Sequence, residues 1–394
     1  MQLSRSSLAA AAISIVTLSL AACSDSTTAP IDNGVRTAAP ASAAANRHDG
    51  GDDRHGSGAV YTLTNAIGGN GVIAFHRADD GALTPLGTFA TGGRGTGGAV
   101  DPLTSQYSVV LSDDHDALFA VDAGSNQVSS FHVKNDGSLV RVGSVPSGGA
   151  RPISLAVSRT LLYVLNTDDN TLSGFLRIGP ILIPLPYTKH ALAAGANGAA
   201  AVRFTHDGRY LVVTERVSNR LEVFPVLLTG ALGAPTVSAA SGGATFGFDI
   251  TSHNQPITSE TQGSVTSYAL ARNGALTPIS ASVPTGGAAT CWVIITDDGR
   301  FAYATSAGSN FVSGFAISND GHLTALTPGV ATGDAGAGAT PIDLDQVGGR
   351  FLYTLEAGRG TIGTFVIGNT GGLTARPDTP AGAPSSGLQG LAAY

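Results

Sequence analysis

Apolar residues gather in short runs separated by turn residues, and one grammar repeats along the chain. A mostly apolar run such as ISLAVS (153–158), AVRFTH (201–206) or WVIIT (292–296) leads into a tight turn. Asp-Gly-Arg or Gly-Gly-Arg supplies that turn at 207–209, 298–300 and 348–350. A second run follows at once: YLVVTE (210–215), FAYATS (301–306), FLYTLE (351–356). A third alternates apolar and polar positions, as a half-buried strand does: NRLEVFPV (219–226), NFVSGFAI (310–317), GTIGTFVI (360–367). The fourth opens on a Gly-x-Leu marker, at Gly81, Gly137, Gly230, Gly274, Gly321 and Gly371. The markers are spaced 56, 93, 44, 47 and 50 residues apart, and a degenerate copy near Gly179 divides the gap of 93. Seven units of four short strands, with Gly-rich turns and no helical period, predict an all-β fold. The expected architecture is a seven-bladed β-propeller of four-stranded blades over residues 59–394.

Ring closure is written at the two ends of that region. The first unit begins with a second strand, VYTLTN (60–65), and lacks its innermost one. The last segment, GLQGLAAY (387–394), matches a first strand. The C-terminal strand is therefore expected to complete the N-terminal blade and leave no open sheet edge at the seam.

Residues 1–22 carry Arg5 and then an unbroken apolar stretch, 8–22, too short to span a bilayer comfortably, which reads as an export signal. The segment Leu20-Ala21-Ala22-Cys23 resembles the bacterial lipoprotein box. The resemblance implies cleavage before Cys23 and acylation there; the alternative is an ordinary signal peptide cut at the small residues. Ser24 in place of Asp carries no inner-membrane retention signal, so the expected location is the bacterial cell envelope. The outer membrane, facing the periplasm or the exterior, is the expected anchor site. Residues 23–58, rich in Ser, Thr, Ala, Asp and Gly, read as a tether. His48, Asp49, Asp52, Asp53 and His55 within it read as solvated polar groups.

Composition narrows the function. Only 12% of residues are charged, 42% are hydrophobic and the net charge is −7. That balance fits a folded chain and excludes a nucleic-acid backbone binder, which needs a basic surface. Cys291 beside Trp292 reads as a buried apolar filler. No Cys-x-x-Cys or His-x-x-x-His occurs, so no structural zinc is expected and no cofactor is required. GGRGTGG (92–98) lacks the Lys-Ser/Thr of a phosphate loop. A monomer is expected.

LLYVLNTDDNTLSGF (161–175), HDGRYLVVTERVSNRLEVF (206–224), CWVIITDDGRFAYATSAGSNFVSGF (291–315) and GALTPLGTFATGG (81–93) carry a family likeness. They resemble the lactonase-type seven-bladed propellers, which include bacterial 6-phosphogluconolactonases and fungal carboxymuconate-lactonising enzymes. The resemblance covers roughly 60–394. It implies an active site served by a Pro-Arg-His stretch opening a first strand and a Glu ending the following second strand. Glu215 matches that Glu, but the Pro-Arg-His position falls on Ala199-Ala200-Ala201. Arg151-Pro152, one blade earlier, occupies the same place in its own repeat.

The residues that end the seven second strands are Asn65, Asp122, Asn166, Glu215, Glu260, Ser306 and Glu356. Equivalent positions in a radial repeat circle one mouth of the channel. One reading is an acidic mouth holding a water or a divalent cation, its carboxylates raising one another's pKa. The other is that these side chains cap the backbone of strands and loops. On the first reading, Glu215 activates water, and Arg151, or Arg94 in the Gly-rich loop, stabilises the oxyanion of an opening lactone. Two functions remain open: an envelope-anchored lactonase acting on a small-molecule lactone, or a non-catalytic propeller binding a ligand, glycan or protein partner at the same mouth.

Overall fold

The computed structural model describes residues 56–383 and 387–394. The signal segment, Cys23 and nearly all of the tether lie outside the described residues. Seven antiparallel sheets form the ring, one for each repeat. Blade 1 holds Gly58–Leu63, Gly71–Arg77 and Leu83–Ala90, and its innermost strand is Gln389–Ala393 from the far end of the chain. Thr62 pairs with Leu391 and Tyr61 with Ala392, so the ring closes as the repeat grammar requires. Blades 2 to 7 span 109–146, 152–191, 199–239, 245–284, 290–334 and 341–380. In blade 6 the outer strand is broken into Leu323–Ala325 and Gly333–Asp334, both paired to Phe311–Ile317. The only helix among the described residues is one 3-10 turn, Ala307–Ser309.

Second strands are buried along their whole length in most blades, for example Tyr210–Glu215 and Phe351–Glu356, because each is sandwiched between neighbouring blades. The seams carry a repeated polar latch. Tyr61, Tyr303 and Tyr353 donate to the carbonyls of Gly137, Gly371 and Gly81 in the next blade, at 2.8, 2.8 and 3.0 Å. Tyr163 donates to Gly230 in the same way. These are the Gly-x-Leu glycines, and their φ values of 80° to 86° fit the left-handed turn that only glycine enters without strain. A Cβ on Gly81 would lie 2.5 Å from the Phe351 ring, so the marker also keeps the blades close. Where the marker is degenerate, at Gly179, the facing second strand offers Phe119, which has no hydroxyl.

Two faces follow from this topology. The upper face carries the ends of the second strands and the junctions between blades; the lower face carries the turns from first to second and from third to outer strands. Junctions take five to eight residues, except that eighteen (91–108) join blade 1 to blade 2. That segment runs down the central channel and fills it. The Ser105 hydroxyl donates to Ile153 O at 2.9 Å, and Trp292 Nε1 donates to Ser105 O at 2.9 Å. Gln106 donates from Nε2 to Val293 O at 2.8 Å, and Tyr107 donates to Phe248 O at 2.7 Å. Blades 3, 5 and 6 thus grip one plug.

Candidate functional site

The strand-ending residues occupy the upper face, one strand outward from the channel wall, and all seven are buried. Most of their polar atoms are spent on nearby turns, Asn166 Oδ1 and Glu356 Oε1 being buried without a partner. Asp122 accepts from Asn70 Nδ2 (2.9 Å), Thr91 Oγ1 (2.6 Å) and Ser129 Oγ (2.5 Å). Glu215 accepts from Arg220 Nε on both oxygens at 3.0 Å, from Asn197 N at 3.1 Å and from the Ser218 hydroxyl. Glu260 accepts from Gly242 N (2.9 Å), Thr266 Oγ1 (2.5 Å) and the Ser264 hydroxyl. Glu356 accepts from Arg359 and Thr361, both at 2.7 Å. Asn65 pins the loop at Thr96, whose amide donates to its Oδ1 at 2.9 Å, and Ser306 shares a hydroxyl contact with Thr290 at 2.8 Å. The paired glycines of the junctions make room for this layer: a Cβ on Gly93 or Gly149 would lie 2.4 Å from Asp122 or 2.6 Å from Asn166. Among the described residues, no three His, Cys, Asp or Glu side chains are grouped to hold a metal ion.

Glu215 also shares Arg220 with a second buried carboxylate, Glu222, whose Oε1 accepts from Arg220 Nη2 at 2.8 Å. Burial, reinforced by the neighbouring Glu215, pushes the Glu222 carboxyl up to about 7. This Glu-Arg-Glu knot ties the second and third strands of blade 4 to the junction at Ala193, whose amide donates to Glu222 at 3.0 Å.

The three residues singled out for catalysis are not gathered at one point. Arg94 is exposed and is not part of the wall of the cavity that Arg151 lines, although its backbone amide donates to Ser125 Oγ at 3.0 Å. Glu215 is closed within its knot. Arg151 does line a cavity, on the upper face, of about 580 Å³. Thr96–Val100, Pro102, Asn126 and Asp168 share that wall. Arg151 stands at φ 55°, held by its amide donating to Asn126 Oδ1 at 2.7 Å. Its guanidinium donates from Nη2 to Pro102 O at 3.0 Å and lies 3.7 Å from Asp168. Arg151 Nε is buried and has no partner.

Beside this wall lies a residue that sequence reasoning missed. Asp101, between cavity-lining Val100 and Pro102, is fully buried at the top of the plug with φ 47°. Its Oδ1 accepts from Ser105 N at 3.3 Å, while its Oδ2 has no partner. Burial pushes its carboxyl up to about 8, against the opposing pull of Gln389, the Ser105 amide and the Arg216 charge. Arg216 Nε and Asn166 Oδ1, also on the upper face, are buried without partners. Buried polar atoms are nearly always paired, so the unpartnered Arg151 Nε in the cavity wall, with Asp101 Oδ2 next to that wall in sequence, makes this cavity the candidate ligand site. The legible signal was the long junction at 91–108.

A second charged group was also missed, lower in the channel. Arg203 Nε lies 3.0 Å from Asp249 and its guanidinium sits 4.6 Å from the centre of the Tyr107 ring. Asp249 also accepts from Ile250 N at 2.7 Å and Ile295 N at 2.9 Å. Asp345, on the innermost strand of blade 7 at the level of Asp249, accepts from Ala393 N (2.8 Å), and Asp343, higher on the same strand and within reach of the Asp101 charge, accepts from Leu391 N (3.2 Å). These carboxylates stitch adjacent innermost strands together. Burial raises all three: Asp345 to about 7, Asp343 well above the usual range, and Asp249 upward against the Arg203 charge.

No protein-family model and no curated protein matches the sequence. Solved structures do share the fold. A Bacteroides fragilis protein provisionally designated a 6-phosphogluconolactonase superposes with TM-score 0.68 at 17% identity, covering 88% of this chain and all of that one. The periplasmic gluconolactonase of Pseudomonas aeruginosa gives 0.67 at 17% identity, over 86% of this chain and 99% of its own. Virginiamycin B lyase of Staphylococcus aureus gives 0.51 at 16% identity, over 74% and 90%. At these identities the likeness is one of fold: this chain is built as a seven-bladed propeller of the kind seen in lactonases.

Proposed function

We propose that this chain is an exported, envelope-anchored lactonase whose reaction takes place at the upper cavity. The observation that carries the reading is the upper-face cavity lined by Arg151, with Asp101 buried between its lining residues Val100 and Pro102, each of the two with an unpartnered buried polar atom, in a propeller fold shared with lactonases. Arg151 takes the oxyanion role already assigned to it. The water-activating role passes from Glu215 to Asp101, because Glu215 is saturated by Arg220, Ser218 and the Asn197 amide.

The chemistry balances with these two groups. Asp101 in its ionised form takes a proton from water as the water oxygen bonds to the lactone carbonyl carbon. The carbonyl oxygen gains negative charge, which the Arg151 guanidinium stabilises. The ring C–O bond then breaks, and Asp101 returns its proton to the departing alkoxide, releasing a hydroxy acid. A carboxyl ionising at about 8 is basic enough for the first step and acidic enough for the last. Glu215 and Glu222 position the blade 4 junction. Export is supported by the apolar leader ending at Cys23 and by the periplasmic setting of the Pseudomonas relative in fold.

The competing reading is a propeller that binds a ligand at the same cavity without turnover; the complete burial of Asp101 favours it. A panel of sugar and aliphatic lactones, assayed with the wild type and Asp101→Asn, separates the two. Turnover that drops about 100-fold or more in the variant supports hydrolysis. Binding without turnover of any lactone dismisses it.

A further inference from the structure

The turn from third to outer strand is polar in five blades. It reads Asp79-Asp80 in blade 1, Asn135-Asp136 in blade 2, Arg272-Asn273 in blade 5, Asn319-Asp320 in blade 6 and Asn369-Thr370 in blade 7. Blades 3 and 4 break the rule together. Blade 3 turns through Ile178-Gly179-Pro180-Ile181, and blade 4 places Leu227-Leu228 ahead of Thr229-Gly230. Ile178, Ile181 and Leu227 are half exposed or more, and Leu228 is fully exposed. Ile183 and Tyr187 on the outer strand Ile181–Ala191 continue the apolar surface, and the Tyr187 hydroxyl donates to Thr229 O at 3.0 Å, joining the two blades.

We propose that this edge of blades 3 and 4 rests in the interface of a lipid bilayer. The occupant is argued from where the chain leaves the described fold. Gly58 pairs with Arg77, next to the third-to-outer turn of blade 1, so Gly56 departs from the same lower face that carries Ile178–Ile181 and Leu227–Leu228. The residues that lead back to Cys23 therefore start on the side that presents the apolar turns. Strand addition by a second copy or a peptide fits poorly, because Pro184 and Pro186 leave two gaps in the N–H donors of the outer strand. A bilayer interface needs no such donors and takes up exposed Leu, Ile and Tyr together. This orientation turns the upper cavity away from the membrane. The proposal goes beyond catalysis and stands or falls independently of it.

The test holds the chain on vesicles of phosphatidylethanolamine with a minor share of phosphatidylglycerol. A hexahistidine tag replacing residues 1–23 binds a nickel-chelating lipid, so the result does not depend on acylation of Cys23. A fluorophore is placed at Leu228→Cys or, as the reference on the far side of the ring, at Asn319→Cys. With nitroxide-labelled phospholipid, emission at 228 should fall at least two-fold and emission at 319 should stay unchanged. Equal quenching at both sites, or none at 228, overturns the proposal. A blue shift at 228 that grows with protein concentration in the absence of vesicles also overturns it, in favour of a second copy.

Discussion

The two ends of the central channel are built from the same residue types and do opposite things. At the lower end, Asp249 and Asp345 give their oxygens to backbone amides of the neighbouring innermost strands, and Arg203 closes the set. None of those carboxylate oxygens is among the buried atoms left without a partner. At the upper end, Asp101, Arg151 and Arg216 each keep one such atom, and Arg151 lines a cavity there. A buried charge that is fully paired is structural; one left partly unpaired next to open space is held ready for something else. Charge at the channel is therefore not in itself a sign of chemistry. What separates the two ends is whether hydrogen bonding is complete.

The largest expected effect is on activity at the upper end. Arg151→Met should lower kcat/KM for a lactone by roughly 100-fold or more, the usual size of losing an oxyanion donor, with little change in unfolding midpoint. A variant that loses stability and activity in proportion would make the upper end structural as well. At the lower end, Arg203→Met strands Asp249 in a buried site. Because the Arg203 side chain is 40% exposed, the cost should fall at or below the low end of the ~3–5 kcal/mol seen for broken buried pairs. Urea unfolding checks the stability, and activity per folded molecule should hold. A large activity loss at unchanged stability would erase the distinction between the ends.

Stability against pH sharpens the comparison further. Asp101, Asp345 and Glu222 ionise at about 8, 7 and 7 in the folded chain, against about 4 when unfolded. Folding therefore favours their protonated forms, and that contribution is complete below about pH 4 and is lost as pH rises through 7 to 8. The carboxyls held low by turn hydrogen bonds, such as Asp136 and Asp320, are already ionised above pH 5 and do not act in this window. The chain should lose on the order of 1 kcal/mol or more between pH 5 and pH 8.5, measured by urea titration. Asp345→Asn should flatten that slope, and a slope of the opposite sign would contradict the assigned burial. The smallest effect belongs to the seams. Tyr353→Phe should cost ~0.5–1.5 kcal/mol by removing the donor to Gly81, and no activity.

Architecture was legible in the sequence because it is repeated. Strands such as YLVVTE and FLYTLE occupy 210–215 and 351–356 as the turns on either side dictate, and the partner of the unpaired first blade was readable from GLQGLAAY. The site was less legible because it breaks the repeat. Ring logic fixes which strand end a residue occupies and not which way its side chain bonds. Glu215 and Glu260 sit where expected, yet bond to local hydroxyls and amides. Asp101 belongs to no repeat position at all. It stands in the one junction of eighteen residues, whose excess length was visible and whose path down the channel depends on contacts with several blades at once. Asp343 and Asp345 hid inside a strand, where alternation suggests outward-facing groups, because the channel wall buries the first and half-buries the second.

The pH dependence of kcat/KM for lactone hydrolysis tests the central claim most directly. If Asp101 is the group that activates water, the wild-type value should climb with pH and level off above about 8, while Asp345→Asn keeps the same midpoint and Asp101→Asn loses both the rate and the rise. A profile that is flat across that range, or a rise that persists in Asp101→Asn, would contradict it.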